Sequence, residues 1–422
     1  MSEPRDYKQP ELPGLSHFPM LGRTRFMAHL QRVRSAVRGK TWVSVAGSSH
    51  LWRWLGDYAR GMFRPRYKPY PTYAAAGVPA EAGSDSDTGI YPLRAHDGGK
   101  TITFAVASDW GTGTAESAKI AERMAAVHAD YTLHLGDVYY IGDEAEVREN
   151  FLGETVSQYL PVAFPKGKVG TLSLMGNHEM YFGGKAYFTR MLPYCTPGNG
   201  KAQRAAFWCL ESDDWRIVGL DTGYNSVGWP ILGSIPKVDK IGLFNGDCRM
   251  EDALMTWLRD TVQPQQKRKA TLLLSHHQYF TAFKDEVFPR PARQLCDLFR
   301  GQQVVWLWGH EHRMAVYDRY SPDGNIECMA RCIGHGGMPT EQGKPVDPKV
   351  PLVFYDTRPP RKNAQGTTVG WNGYLRFYLT GPELRIEYRD IDDGMMYAES
   401  FTATGDGGFA HTLHGSSRQA LP

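Results

Sequence analysis

The chain has 422 residues, 41% hydrophobic and 22% charged, with a formal net charge of +3. That is the composition of an ordinary globular protein with a sizeable core, and the charge is too small to argue for nucleic acid. No run of about 18 apolar residues occurs, which argues against a membrane-spanning helix. The length suits one large catalytic domain with an appendage.

Residues 1–70 carry thirteen Lys/Arg against four Asp/Glu. Within them, 24–38 place Phe26, Leu30, Val33 and Val37 on one helical face, and 50–63 do the same with Leu51, Leu55, Tyr58 and Met62. This predicts a basic helical N-terminal extension whose apolar faces pack on the main domain. Peripheral membrane contact through the same helices is the alternative. Residues 71–99 are rich in Ala, Gly, Pro, Ser and Asp and read as a linker.

A different pattern begins at residue 100. "TITFAVASD" reads as a buried strand, "TAESAKIAERMAAVHA" as a helix, and "YTLHLGD" and "TLSLMGNHE" as further strands. "RIVGLDT", "ATLLLSHH" and "VVWLWGHEH" follow, with helical stretches near 250–262 and 291–300. Short apolar strands alternating with helices predict an α/β sheet. "GYLRFYLTGPELRIEYRD" predicts a hairpin turning at Thr380–Glu383 that adds antiparallel strands to one edge. The catalytic domain is placed at 100–402 and a C-terminal tail at 403–422. The six cysteines form no CxxC pair and read as free buried thiols of a reducing compartment. With no apolar signal core at the start, a cytoplasmic protein is expected.

The polar clusters close the predicted strands. In order they are Asp109 in "SDWG", Asp137 and Tyr140 in "GDVYY", Asn177 and His178 in "GNHE", His276 and His277 in "SHH", and His310 and His312 in "GHEH". Strand ends of an open α/β sheet share one edge, where ligands bind. Two carboxylates, an amide oxygen, three or four imidazoles and a phenol are too many for one metal ion and suit two, which can clamp a phosphoryl group.

This series of blocks resembles the calcineurin-like metallophosphoesterase superfamily over about residues 100–402. The resemblance implies a four-layer α/β/β/α sandwich. Most members carry Asp-x-His in the first block, whereas here the third position is Gly111. Purple acid phosphatases share that gap and fill it with the tyrosine of Gly-Asp-x-x-Tyr, a spacing that Tyr140 fits. The chain therefore resembles the purple acid phosphatase branch, apart from Ser108, where those enzymes usually have glycine. Phenolate is a hard donor, and trading imidazole for it favours Fe(III).

The resemblance implies that Asp109, Tyr140 and His312 bind a ferric ion. Asn177, His276 and His310 then bind a divalent Fe, Zn or Mn ion, and Asp137 bridges the pair. His276 is preferred to His277 because the first histidine after the strand takes that role in the family. Tyr139 is read as packing or lining the rim. His178 is assigned to catalysis, through a phosphoryl oxygen or by protonating the leaving alkoxide, and Glu179 to orienting a neighbouring histidine. Substrate contacts are expected from His277, His335 in the Gly-rich "CIGHGGMP", and Trp110 as a pocket wall. The implied function is hydrolysis of small phosphate monoesters by a metal-bound hydroxide. The alternative is a phosphodiesterase acting on a nucleotide, cyclic nucleotide or lipid headgroup.

Overall fold

The structure, a computed structural model, describes residues 65–73, 87–156, 161–227, 246–283, 285–363 and 368–416. The expected basic helices at 24–38 and 50–63 lie outside the described residues. In chain order the strands are β1 (Ile90–Pro92), β2 (Thr101–Ala107), β3 (Tyr131–His134), β4 (Gly170–Ser173), β5 (Trp208–Glu211), β6 (Trp215–Gly219), β7 (Ala270–Ser275), β8 (Val304–Trp308) and β9 (Met314–Tyr320). Then come β10 (Cys328–Ile333), β11 (Leu352–Tyr355), the short pair β12 (Arg361–Lys362) and β13 (Thr368–Val369), β14 (Gly373–Thr380), β15 (Glu383–Asp390), β16 (Met395–Ala403) and β17 (Phe409–Ser416). The helices that matter for the core and the site are α1 (Ala115–Ala126), α2 (Glu144–Asn150), α3 (Asn177–Met180), α4 (Asp252–Trp257) and α5 (Pro289–Leu295).

Two large sheets result. One runs β1-β5-β6-β7-β8-β10-β9-β11 and the other β17-β16-β15-β14-β2-β3-β4. The period-2 alternation of each strand explains the layering. In β7, Leu272 and Leu274 join the core that also holds Phe104, Val106, Leu375 and Phe377 of the other sheet, so they lie between the sheets. Leu273 faces the opposite way and packs with Leu254 and Trp257 of α4 and Leu295 of α5. In β2 the outward residues are Ala105 and Ala107, small enough for Ile120 and Met124 of α1 to settle on them. Helix, sheet, sheet and helix form the four expected layers.

The start of α1 is set locally. The Thr114 side chain accepts from the Ser117 backbone N–H and the Ser117 side chain accepts from the Thr114 N–H, a capping box, with Glu116 in the first turn and Arg123 in the last. The predicted hairpin is present as β14 and β15, and β14 pairs antiparallel with β2. Two boundaries differ from the sequence reading. The segment expected to be a linker contributes β1, parallel to β5, and buries Tyr73 and Tyr91. The expected tail contributes β17, antiparallel to β16. Both are edge strands with weak alternation, and only the neighbouring strand defines them. All six cysteines are free, and five are buried. Among the described residues no helix is long and apolar enough to cross a membrane.

Candidate metal centre

The parallel pairs β2-β3-β4 and β6-β7-β8 bring six strand ends to one edge of the sandwich. The residues that follow these ends converge. Asp109 and Asp137 are buried, and Tyr139 places its hydroxyl 2.9 Å from Asp109 Oδ1, 3.0 Å from Asp137 Oδ2 and 3.0 Å from His312 Nε2. His312 Nε2 lies 3.4 Å from Asp109 Oδ1. This is one donor group. Asn177 Oδ1 stands 3.2 Å from His276 Nε2 and 2.8 Å from His310 Nδ1, and His276 Nε2 stands 3.3 Å from Asp137 Oδ2. This is a second group, and the Asp137 carboxylate belongs to both.

These separations fit cations. Ligand atoms at about 2.1 Å from an ion and at right angles to each other stand about 3 Å apart. The ring orientations agree. His276 donates its Nδ1–H to the Leu135 carbonyl at 2.9 Å, which turns Nε2 toward two oxygens. Burial disfavours a charged His276, yet Asp137 and Asp109 raise its pKa to about 9. A proton at Nε2 thus holds a position suited to a cation. Burial also opposes ionisation of Asp137, but the charges of His276 and His178 hold it well below the usual carboxylate range.

The phenol at the first group is Tyr139, one residue earlier than the spacing of Tyr140 predicts. The loop backbone explains the shift. Tyr139 donates its N–H to the Gly111 carbonyl at 2.8 Å, and a Cβ on Gly111 would lie 2.9 Å from Val138 Cγ2 and 3.0 Å from Val138 Cα. A histidine at position 111 would therefore push against this loop. Tyr140 contributes its backbone: its N–H donates to Glu146 Oε1 and its carbonyl accepts from His178 Nδ1, each at 2.5 Å. Its half-buried ring packs beside Tyr139 and Met338.

His178 is thereby oriented. With Nδ1 on the Tyr140 carbonyl, Nε2 lies 3.8 Å from Asp137 Oδ2, and the ring sits 4.1 Å from that of Tyr139. Glu179 works on backbone rather than on a histidine. Its carboxylate accepts the N–H of Val138 at 2.7 Å, of Gly176 at 2.8 Å and of Asp137 at 3.3 Å, tying two strand-end loops together.

Three expected substrate contacts are placed differently. Trp110 is fully buried, donates Nε1–H to the Ser117 carbonyl at 2.7 Å and packs edge-on to Phe164, so it is core beneath α1 and not a pocket wall. His335 is also fully enclosed, and a Cβ on Gly373 would come within 2.6 Å of its Nε2. The surrounding Gly-rich loop does approach the first group: Gly336 and Met338 donate their N–H to the carbonyls of Ser108 and Asp109. His277 is 2% exposed and lies inside, its ring 4.7 Å from that of His310.

Three contributors escaped sequence reasoning. Ser108 donates to Asp109 Oδ2 at 2.7 Å, Tyr181 accepts from Asn177 Nδ2 at 2.8 Å, and Thr222 Oγ1 lies 3.1 Å from His277 Nδ1. Thr222 closes "GLDT" at the end of β6, so its strand-end position was the available signal. A third acidic group, Asp285, Glu311 and Glu341, also clusters closely. Its cation is Arg313, 2.7 Å from both Glu311 and Glu341.

The calcineurin-like phosphoesterase family pattern matches residues 102–314. No curated protein matches the chain. Among solved structures, the purple acid phosphatase PPD1 from yellow lupin (Lupinus luteus) seeds is 15% identical, with a TM-score of 0.47, covering 72% of this chain and 53% of its own. The chain thus spans about half the length of the lupin protein. GAP50, the anchor in the inner membrane complex of Plasmodium, is 12% identical, covering 72% and 90%, with a TM-score of 0.44. PhoD is 12% identical, covering 76% and 72%, with a TM-score of 0.42. Likeness at this level carries nothing about activity or substrate.

Proposed function

From a chain that belongs to the calcineurin-like phosphoesterase family, we propose a two-metal phosphomonoesterase of the purple acid phosphatase kind. One observation carries this reading: a single Asp137 oxygen, Oδ2, lies 3.0 Å from the Tyr139 hydroxyl of the first group and 3.3 Å from His276 Nε2 of the second. One carboxylate between two donor groups is what a pair of ions requires. In this reading Asp109, Tyr139 and His312 hold the first ion, with phenolate favouring Fe(III). Asn177, His276 and His310 hold a divalent second ion, Fe, Zn or Mn.

Bound metal supplies Lewis acidity to the phosphoryl group and lowers the pKa of the attacking water. The chain does the rest. Asp109, Asp137 and the tyrosinate lower the charge of the pair while leaving it attractive to an anionic ester. His178 keeps Nδ1 on the Tyr140 carbonyl and presents Nε2 from a partly open position, its side chain 14% exposed. From there it hydrogen-bonds a phosphoryl oxygen or delivers a proton to the leaving alkoxide. Glu179 holds the Asp137 loop still while charge develops.

The test is hydrolysis of a phosphate monoester and a diester side by side, before and after chelation and metal return. Monoester turnover that chelation abolishes, that returned metal restores and that Asp137→Asn lacks is the expected result. A strong preference for the diester transfers the assignment to phosphodiesterase on the same site. Turnover that survives chelation and Asp137→Asn rejects it.

A further inference from the structure

We propose that His277 is an additional imidazole ligand of the second metal position, aimed there by Thr222, and that it makes this position select zinc over manganese. The inference rests on the two-metal reading above. One ring nitrogen each of His276, His277 and His310 lie within 4.8 Å of one another, and all three rings are buried. The His277 ring stands 4.8 Å from that of His276, nearly perpendicular, and 4.7 Å from that of His310. Three imidazoles therefore surround one small volume, with Asn177 Oδ1 touching two of them.

Thr222 fixes which way His277 faces. Its hydroxyl lies 3.1 Å from His277 Nδ1 and accepts from the His277 backbone N–H at 3.1 Å. Ring and backbone are held by the same atom, and Nε2 is the nitrogen left for a ligand. Phe288 packs edge-on at 4.9 Å and keeps the ring from turning outward. At 2% exposure His277 has little surface to offer a substrate in solution. A ligand histidine whose other nitrogen is held by a fixed partner is the common arrangement in metal sites. Three nitrogens with one amide oxygen and one shared carboxylate form a donor set suited to zinc, whereas manganese favours oxygen-rich sites.

The experiment uses the full chain as wild type, His277→Ala, His277→Gln and Thr222→Val. Each is stripped of metal, checked for folding by circular dichroism, and titrated with zinc and with manganese against a chromophoric chelator. X-ray absorption of the zinc-loaded proteins counts imidazole neighbours. Expected for His277→Ala and His277→Gln is a loss of zinc affinity at the weaker position of about tenfold or more, with manganese little changed. One imidazole neighbour fewer accompanies it. Thr222→Val shifts zinc the same way by less, and it carries the test should both His277 variants fail to fold. Folded variants with the wild-type zinc-to-manganese ratio and a raised KM for the phosphate ester overturn the inference and make His277 a substrate contact. A wild-type chain that takes up no second ion overturns the two-metal reading, and the inference with it.

Discussion

Asp109, Asp137 and His310 hold left-handed backbone, with φ of 56°, 75° and 64°. Each such residue costs about 1–3 kcal/mol unless its surroundings enforce it. Here they do: the Asp109 N–H donates to the Gly136 carbonyl, and the His310 N–H donates to Asp109 Oδ2 at 2.9 Å. The turn throws each donor back over its strand end, toward the others. Two predictions belong at this scale. Tyr139→Phe should lose the visible charge-transfer band of a ferric phenolate, and Tyr140→Phe should keep it, read by absorption of iron-loaded protein. His178→Ala should lower kcat by about 10²–10⁴-fold with both metals retained, measured by steady-state kinetics and metal analysis. The residue types that converge at this edge were legible in sequence because each block closes a strand. Which of two adjacent tyrosines turns inward was not, because that depends on how closely the loop packs against Gly111.

At the scale of elements, short pieces brace the site. The α3 residue Glu179 receives three backbone N–H groups from two loops. The α2 residue Glu146 does the same for Tyr140, Ile141 and Gly142, at 2.5, 2.8 and 2.9 Å. Removing a buried acceptor leaves its donors unsatisfied at about 1–3 kcal/mol each. Glu179→Ala should therefore lower unfolding stability by about 3 kcal/mol in urea melts and weaken retention of metal by both groups. Asp137 sits on the loop that Glu179 holds, so both groups loosen together. The α1 cap meets the Gly-rich loop, with Thr114 Oγ1 donating to the Gly337 carbonyl at 3.4 Å, rather than a donor side chain. Thr114→Ala should cost about 1 kcal/mol and weaken metal binding less than Glu179→Ala does, checked by the same melts and by metal titration.

At the scale of the whole molecule, a charged crosslink lies in the seam between the sheets among the described residues. In β10, Met329 and Ile333 face the inter-sheet core, and Arg331 shares their parity. In β16, Tyr397 and Phe401 do so, and Glu399 shares theirs. The two charges meet there through Arg331 Nε to Glu399 Oε1 and Nη2 to Oε2, both 2.6 Å. Burial opposes an ionised Glu399, but Arg331, with His411 and Tyr388, lowers its pKa from 4.5 to about 2. That difference is about 3 kcal/mol. A depressed carboxyl stabilises fully above its unfolded pKa, so the contribution is complete above about pH 4.5 and declines as pH falls toward about 2. Wild type should lose more stability between pH 6 and pH 3 than Glu399→Gln does, measured by urea unfolding. Arg331→Met alone should cost about 3–5 kcal/mol, because it strands a buried carboxylate, and Arg331→Met with Glu399→Leu should recover most of it.

The sequence by itself determined the α/β class, the strands that carry the donors and the chemical types of those donors. Alternation and strand-end motifs are local, and local spacing records them. The tertiary structure alone decided that Tyr139 fills the place beside Asp109, that Trp110 and His335 are enclosed, and that residues 90–92 and 409–416 are strands. Each of these depends on atoms far along the chain coming within van der Waals or hydrogen-bond distance, and no spacing within one segment encodes that approach.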